Sequence, residues 1–304
     1  METFAASRRD RLCQKHRAPI TRDLFVAVLA SDEGLGDILD IEEAYEANLG
    51  NFIDFERGVT AQLASELVHP AFELAEIDHA RRTVGRLLDN LLSTSFAFLE
   101  QTRRRMTRLG GRALCDRFNA EYSALRESLP ALAVVEAIRN YAQHEGSSVS
   151  GITLGGRRLE EGDAIVIERT FVATFRRDLI RPDRRAPKAV QDQLSTLLNA
   201  VADDKGRIEM SPLIRHYVAA LSEVLVAARK LVSDEQAHWS TANREALAAL
   251  NAPDGEGYGH QVVRLHGQRA IEAGPIVHFN VDRIERLQAR NGALTGLPLA
   301  RIRH

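Results

Sequence analysis

Cysteine is nearly absent: Cys13 and Cys115 are the only two among 304 residues. They are too far apart for a Cys-x-x-Cys motif and neither has a nearby histidine pair, so local spacing builds neither a zinc site nor a redox couple. Both read as small buried hydrophobes, in keeping with a reducing cytoplasm. Long apolar runs are missing too. The longest, such as Ala131 to Val135 and Leu221 to Ala228, are interrupted by charge long before the ~20 residues a bilayer span needs, so no membrane segment is expected. The opening Met1-Glu2-Thr3-Phe4 has no basic start followed by an apolar stretch, as a secretory signal would. There is no Gly-x-Ser-x-Gly elbow and no phosphate loop, and Gly151 through Gly156 lacks both the spacing and the following helix of a nucleotide fingerprint. ATP use and a bound cofactor are therefore not expected. A net charge of −2 also argues against a generic binder of polyanions.

What is present is the composition of a well-packed globular protein, 44% apolar and 27% charged. The charge is unevenly spread. Residues 1–100 carry about 10 basic and about 18 acidic side chains, whereas residues 101–185 carry about 16 and about 11, so an anionic partner should meet the middle of the chain.

The apolar positions predict mainly helices. Ala44, Leu49, Phe52, Ile53, Val59, Leu63 and Leu67 recur at three- to four-residue spacing and predict one helix from Ile41 to about Leu67. Val84, Leu87, Leu88, Leu91, Phe96 and Leu99 predict a second, from about Glu76 to Leu109, stopped by Gly110-Gly111, with a third over Ala113 to Arg126. Ser128 as cap, Pro130 in the first turn and Gly146 as terminator delimit a fourth. The β-branched and aromatic stretches around Val149 to Phe175 predict an inserted β-hairpin. A helix follows from about Lys188 to Ala202, then a long one from Ser211-Pro212 past Trp239 with a break near Asp234. The tail predicts strands at Gln261–Leu265 and Pro275–Phe279 and a helix around Val281–Arg290. Residues 1–20 show no sustained period and read as a loose arm. The expected organisation is thus an arm over 1–40, a helical bundle over 41–252 with the hairpin near 149–175, and a small mixed α/β extension over 253–304.

The fourth helix carries the chemistry. At 100° per residue, Ala131, Val135, Ile138 and Ala142 fall on one face, and Arg139, Asn140, Gln143 and His144 fall on the adjacent one. Asn140 and His144 are neighbours one turn apart, as are Arg139 and Gln143. These residue types suit metal-free cleavage of a phosphodiester. A neutral imidazole, His144, can take the proton of a ribose 2′-hydroxyl or protonate the leaving oxygen. The guanidinium of Arg139 offers a planar fork of donors to phosphate oxygens as charge builds, and Asn140 can orient the imidazole or the phosphate. The bland alternative is a set of polar residues fixing a helix end. The bare spacing is common, since Arg9-Asp10 through His16 has a comparable one, but that segment lacks the apolar stripe and the delimited helix.

The segment Val135-Glu-Ala-Ile-Arg-Asn-Tyr-Ala-Gln-His-Glu-Gly resembles the signature of HEPN domains, in which Arg, a polar residue, a short gap and His follow one another. Arg139, Asn140 and His144 match it. The resemblance implies an up-and-down helical bundle that forms a homodimer, with two motifs facing each other across a shared cleft. It further implies a metal-independent ribonuclease, often in toxin–antitoxin or phage-defence settings with an antitoxin or regulatory protein as partner. Some members of the family only bind RNA or a protein partner, or scaffold. The hairpin and the tail depart from the family pattern.

Other residues are candidates for supporting roles. Tyr141 and Gln143 sit within the motif, and Arg104 and Arg108 belong to a basic group with Arg103, Arg105, Arg112 and Arg117 that could track an RNA backbone, with Phe118 or Tyr122 for base stacking. Arg157, Arg158, Arg176 and Arg177 on the hairpin form a second such group. Glu76-x-x-His79 and Glu235-x-x-His238 have the spacing of di-iron bundle ligands. They lie close to predicted helix ends rather than mid-helix, and no metal is expected there.

Overall fold

The computed structural model describes residues 2–9, 15–69, 73–161, 164–181, 187–250 and 259–294. Helices dominate, with small antiparallel sheets. The elements in chain order are β1 (Glu2–Arg9), β2 (Lys15–Pro19), α1 (Arg22–Val68), α2 (Leu74–Ser128), α3 (Pro130–His144), β3 (Gly151–Glu161), β4 (Ala164–Arg176), α4 (Lys188–Val201), β5 (Arg207–Glu209), α5 (Met210–Leu231), α6 (Ser233–Ala249), β6 (Gln261–His266), β7 (Arg269–Pro275) and α7 (His278–Arg290). Among the described residues no helix is long and apolar enough to cross a membrane.

Two compact units divide the chain: Met1–Glu43 with Gln101–Phe118 and Ala227–Gly292, and Ala44–Glu100 with Asn119–Val226 and Ala293–His304. In the first unit a four-stranded sheet runs in the order β2-β1-β6-β7. The N-terminal segment, expected as a loose arm, is therefore a pair of strands. Its apolar content is too small to signal a strand alone, and its partner β6 lies some 250 residues away in sequence. The β1–β6 register pairs Ala6 with Val262 and Ala5 with Val263. Ala6 and Val262 face a core shared with Phe25, Val28, Ala242, Ala246 and Ile276, while Ala5, Val263 and Leu265 form a smaller cluster on the other face. That is the alternation a two-sided strand requires.

Polar ties fix the helices of this unit. The fully buried Asn243 amide donates to Ser31 Oγ at 2.7 Å and to the Trp239 carbonyl at 2.9 Å, and its oxygen accepts the Val277 N–H at 2.8 Å. That last bond caps the start of α7, so the expected strand at 275–279 is instead the end of β7 and the first turn of a helix. Glu42, only 1% exposed, takes a bidentate pair of bonds from Arg229 at 2.7 and 2.6 Å and a third from Gln288 at 3.1 Å.

His260 in the first unit is buried, and its ring meets His278 edge-on at 5.4 Å between centroids. Burial, then the charges of His278 and Arg8, hold its pKa below the ordinary value of 6.5. The native state therefore keeps this histidine neutral where the unfolded chain protonates it, so stability falls as pH drops through that value. The wild-type unfolding midpoint should decrease more between pH 7 and pH 5 than that of His260→Phe. Parallel declines in the two proteins would contradict this.

The second unit holds most of the helical core. Its part of α1 ties to α5 through a bidentate pair, Arg215 to Glu56 at 2.9 and 2.6 Å. A buried Asn48 accepts the Ser95 hydroxyl of α2 at 2.6 Å, and Tyr45 packs edge-on against Phe98 at 5.4 Å. The inserted hairpin is present: β3 and β4 pair in strict register from Gly151–Thr174 to Glu161–Ala164, and β5 adds a third strand through Phe175–Ile208. The expected stop at Gly110-Gly111 is a local break inside α2. Gly111 takes φ 67, which only glycine adopts cheaply, and helix resumes beyond it.

Candidate functional site

The first half of α3 is enclosed: Ala131, Leu132, Ala133, Val134, Val135 and Ile138 are all buried. A helix buried on all sides there leaves its polar row for the last turn and a half, where Asn140, Gln143 and His144 are exposed. The helix begins at Pro130, as the sequence suggests, but Leu129 is the N-cap, while the Ser128 hydroxyl donates back to the Leu125 carbonyl at 3.2 Å. At the other end the N–H groups of Glu145 and Gly146 both donate to the Tyr141 carbonyl, at 2.8 and 3.3 Å. Gly146 is needed there for space. A Cβ on it would sit 2.7 Å from the Tyr141 hydroxyl, because that ring turns back over the chain to meet Phe175 edge-on at 5.3 Å.

The three motif residues stand in different environments. Arg139 is partly buried, with its guanidinium carbon 3.7 Å above the Phe96 ring and Nη1 donating to Asn140 Oδ1 at 3.2 Å. Its Nε is buried and has no hydrogen-bond partner among the described residues. Burial lowers its pKa, and this is opposed by Tyr217, Glu100 and Glu136. The Tyr217 hydroxyl beneath is pushed above its ordinary range, by burial first. A cation over an aromatic face is worth about 0.5–1 kcal/mol at a partly exposed site, so Phe96 fixes where Arg139 points. His144 is exposed and, among the described residues, makes no hydrogen bond or ion pair.

The supporting candidates fare unevenly. Arg104 is exposed, but Arg108 pairs with the buried Asp37 at 3.1 Å, and Arg105 pairs with Asp37 and Asp40 at 2.9 and 2.5 Å. These three arginines belong to the first unit, whereas the α3 motif belongs to the second. Phe118 and Tyr122, considered for base stacking, are buried, and the Tyr122 hydroxyl donates to Glu136. The aromatic ring beside the motif is instead Phe96, which is 41% exposed and 43 positions upstream. Its place in an apolar stripe gave no signal of this. On the hairpin, Arg176 pairs with Asp178 and Arg177 donates to Asn199, and the side chains of Arg157 and Arg158 lie outside the described residues.

Glu76 closes a capping box at the start of α2, accepting the Glu73 N–H at 3.3 Å. Glu235 lies in the first turn of α6, in the other unit. Among the described residues no group of three or more His, Cys, Asp or Glu side chains is placed to hold a metal ion. Cys115 is partly buried, and Cys13 lies outside the described residues.

A hollow of about 470 Å³ opens at the opposite end of α3, between its first residues, the end of α4 and one face of α5. No sequence pattern signals it, because its lining residues come from separate helices. No family model matches the chain, and neither a curated protein nor a solved structure does.

Proposed function

We propose that this chain is a metal-independent RNA endonuclease of the HEPN type, with His144 as the acid–base group, Arg139 stabilising charge on the phosphate and Asn140 orienting. The observation that carries this reading is the exposed, unengaged imidazole of His144, one helical turn from Asn140, which itself holds Arg139. Residues one turn apart have Cβ atoms about 5–6 Å from each other, close enough to act on one phosphodiester. His144 takes the proton of a ribose 2′-hydroxyl, the oxygen attacks the adjacent phosphorus as the P–O5′ bond breaks, and the imidazolium returns the proton to the departing 5′-oxygen. The products are a 2′,3′-cyclic phosphate and a 5′-hydroxyl. Two copies of the motif would face one cleft in a homodimer, and a toxin–antitoxin or phage-defence role would follow from the resemblance.

A non-catalytic module that binds RNA or a protein partner is the second reading. It is favoured by the seating of Arg139 on Phe96 with Nε buried, which leaves only part of the guanidinium fork for a phosphate. Incubation of the purified protein with total RNA in EDTA, followed by mapping of the ends, separates the two. Cleavage leaving 2′,3′-cyclic phosphate ends is expected. Strict dependence on magnesium would overturn the enzymatic reading, and binding without cleavage would favour the second.

A further inference from the structure

We propose that the hollow at the start of α3 is a binding site for a small amphipathic cation, an apolar body carrying one amine, distinct from the α3 motif. A volume of about 470 Å³ lies within the range of small-molecule sites, roughly 300–1,000 Å³. Three alanines, Ala131 on α3 and Ala219 and Ala220 on α5, line the hollow and leave room for it, and Pro130 and Leu294 line it as well. Leu294 is held there by its N–H, which donates to Ser222 Oγ at 2.9 Å. Among the described residues that line it, His216 and Glu223 break the apolar surface.

Charge selects the class of ligand. Glu223 is partly buried at the rim of an apolar hollow and makes no ion pair among the described residues. A partly desolvated carboxylate without a counter-charge is a site for a cation. An adjoining hollow shares Val201, Leu213 and His216 and adds Asp203, Arg207 and Glu209. Its one arginine is neutralised by Asp203 at 2.8 Å, which leaves Glu209 as further negative charge. The N-terminus of α3 also borders the site and opposes a cation. Its macrodipole amounts to about half a charge, and its first residue, Pro130, has no N–H to donate, so the acidic side chains decide the sign of the site.

From the start of α3 to His144 is about 20 Å at 1.5 Å per residue, so occupancy here does not touch the motif. The test uses three probes with one apolar body and different heads: 4-phenylbutylammonium, 4-phenylbutanol and 4-phenylbutanoate, titrated into the full chain at pH 7.5 by calorimetry. The amine should bind tightest and the carboxylate weakest. Glu223→Gln should weaken the amine about tenfold, to the level of the alcohol, as expected for losing one charge-assisted contact. Ala220→Leu should abolish binding of all three, and Ala219→Leu, on a less buried residue, serves as the second filling variant should the first fail to fold. Equal affinities for the three heads, binding that survives a folded filling variant, or no binding by any probe would each overturn the proposal.

Discussion

Glu42→Ala is expected to destabilise the protein by about 3–5 kcal/mol, read as a fall in the denaturant midpoint. Glu42 is essentially enclosed, and Arg229 is 18% exposed. Three donors converge on the carboxylate, while Arg229 Nη1 also donates to the Asn291 carbonyl at 2.7 Å. Removing the acid leaves a guanidinium with one remaining acceptor in a dry site, and the loss of one partner of a buried pair costs that much. Replacing both partners should cost far less, because Glu42→Leu with Arg229→Met removes both charges together. A loss under about 1 kcal/mol for Glu42→Ala would show that water reaches the guanidinium. A double variant as unstable as the single one would assign the effect to packing instead.

The sequence revealed some elements more clearly than others, and the reasons are local. The α3 bounds were legible because proline fixes the first turn and an apolar stripe continues to Ile138. The hairpin was legible from its β-branched runs, and the break between α5 and α6 at Val232 fell two residues from the expected Asp234. The first sheet was not legible. Strand β2 is short and polar, and β1, with few apolar residues of its own, lies between β2 and the sequence-distant β6. The first helix begins at Arg22 rather than near Ile41, since Phe25, Val28, Leu35 and Ile38 continue its buried stripe across two glycines. One of these, Gly34, is required by packing, because a Cβ there would lie 2.3 Å from the Trp239 ring.

For the candidate site, periodicity placed Arg139, Asn140, Gln143 and His144 on one polar row; Asn140, Gln143 and His144 are exposed, but Arg139 is partly buried, and Leu132 to Val134 are buried outside the expected apolar face. It could not foresee that Arg139 leans onto Phe96, since that contact joins two helices whose sequences are silent about each other. Nor could it foresee that Arg105 and Arg108 are taken up by Asp37. Runs of arginine look alike whether they face solvent or a buried acid. Arg104, with no such partner among the described residues, is the one to test as a backbone contact. Arg104→Ala should weaken RNA binding slightly and lower its salt dependence without removing cleavage.

The largest functional effects are expected at His144 and Arg139. Acid–base help of the kind assigned to His144 is worth ~10²–10⁴ in rate, so His144→Ala should lose that factor while its thermal midpoint stays put, because the side chain is exposed and makes no hydrogen bond or ion pair among the described residues. Arg139→Ala should also abolish cleavage. It should cost about 0.5–1 kcal/mol of stability besides, through the lost contact with Phe96, and the two variants therefore differ in stability though not in activity. The most direct measurement is the rate of RNA cleavage in EDTA by wild type and His144→Ala, purified identically and shown to melt together. A rate at least about a hundredfold lower in the variant is predicted. Equal rates in two equally folded proteins would contradict the assignment of His144 as the acid–base group.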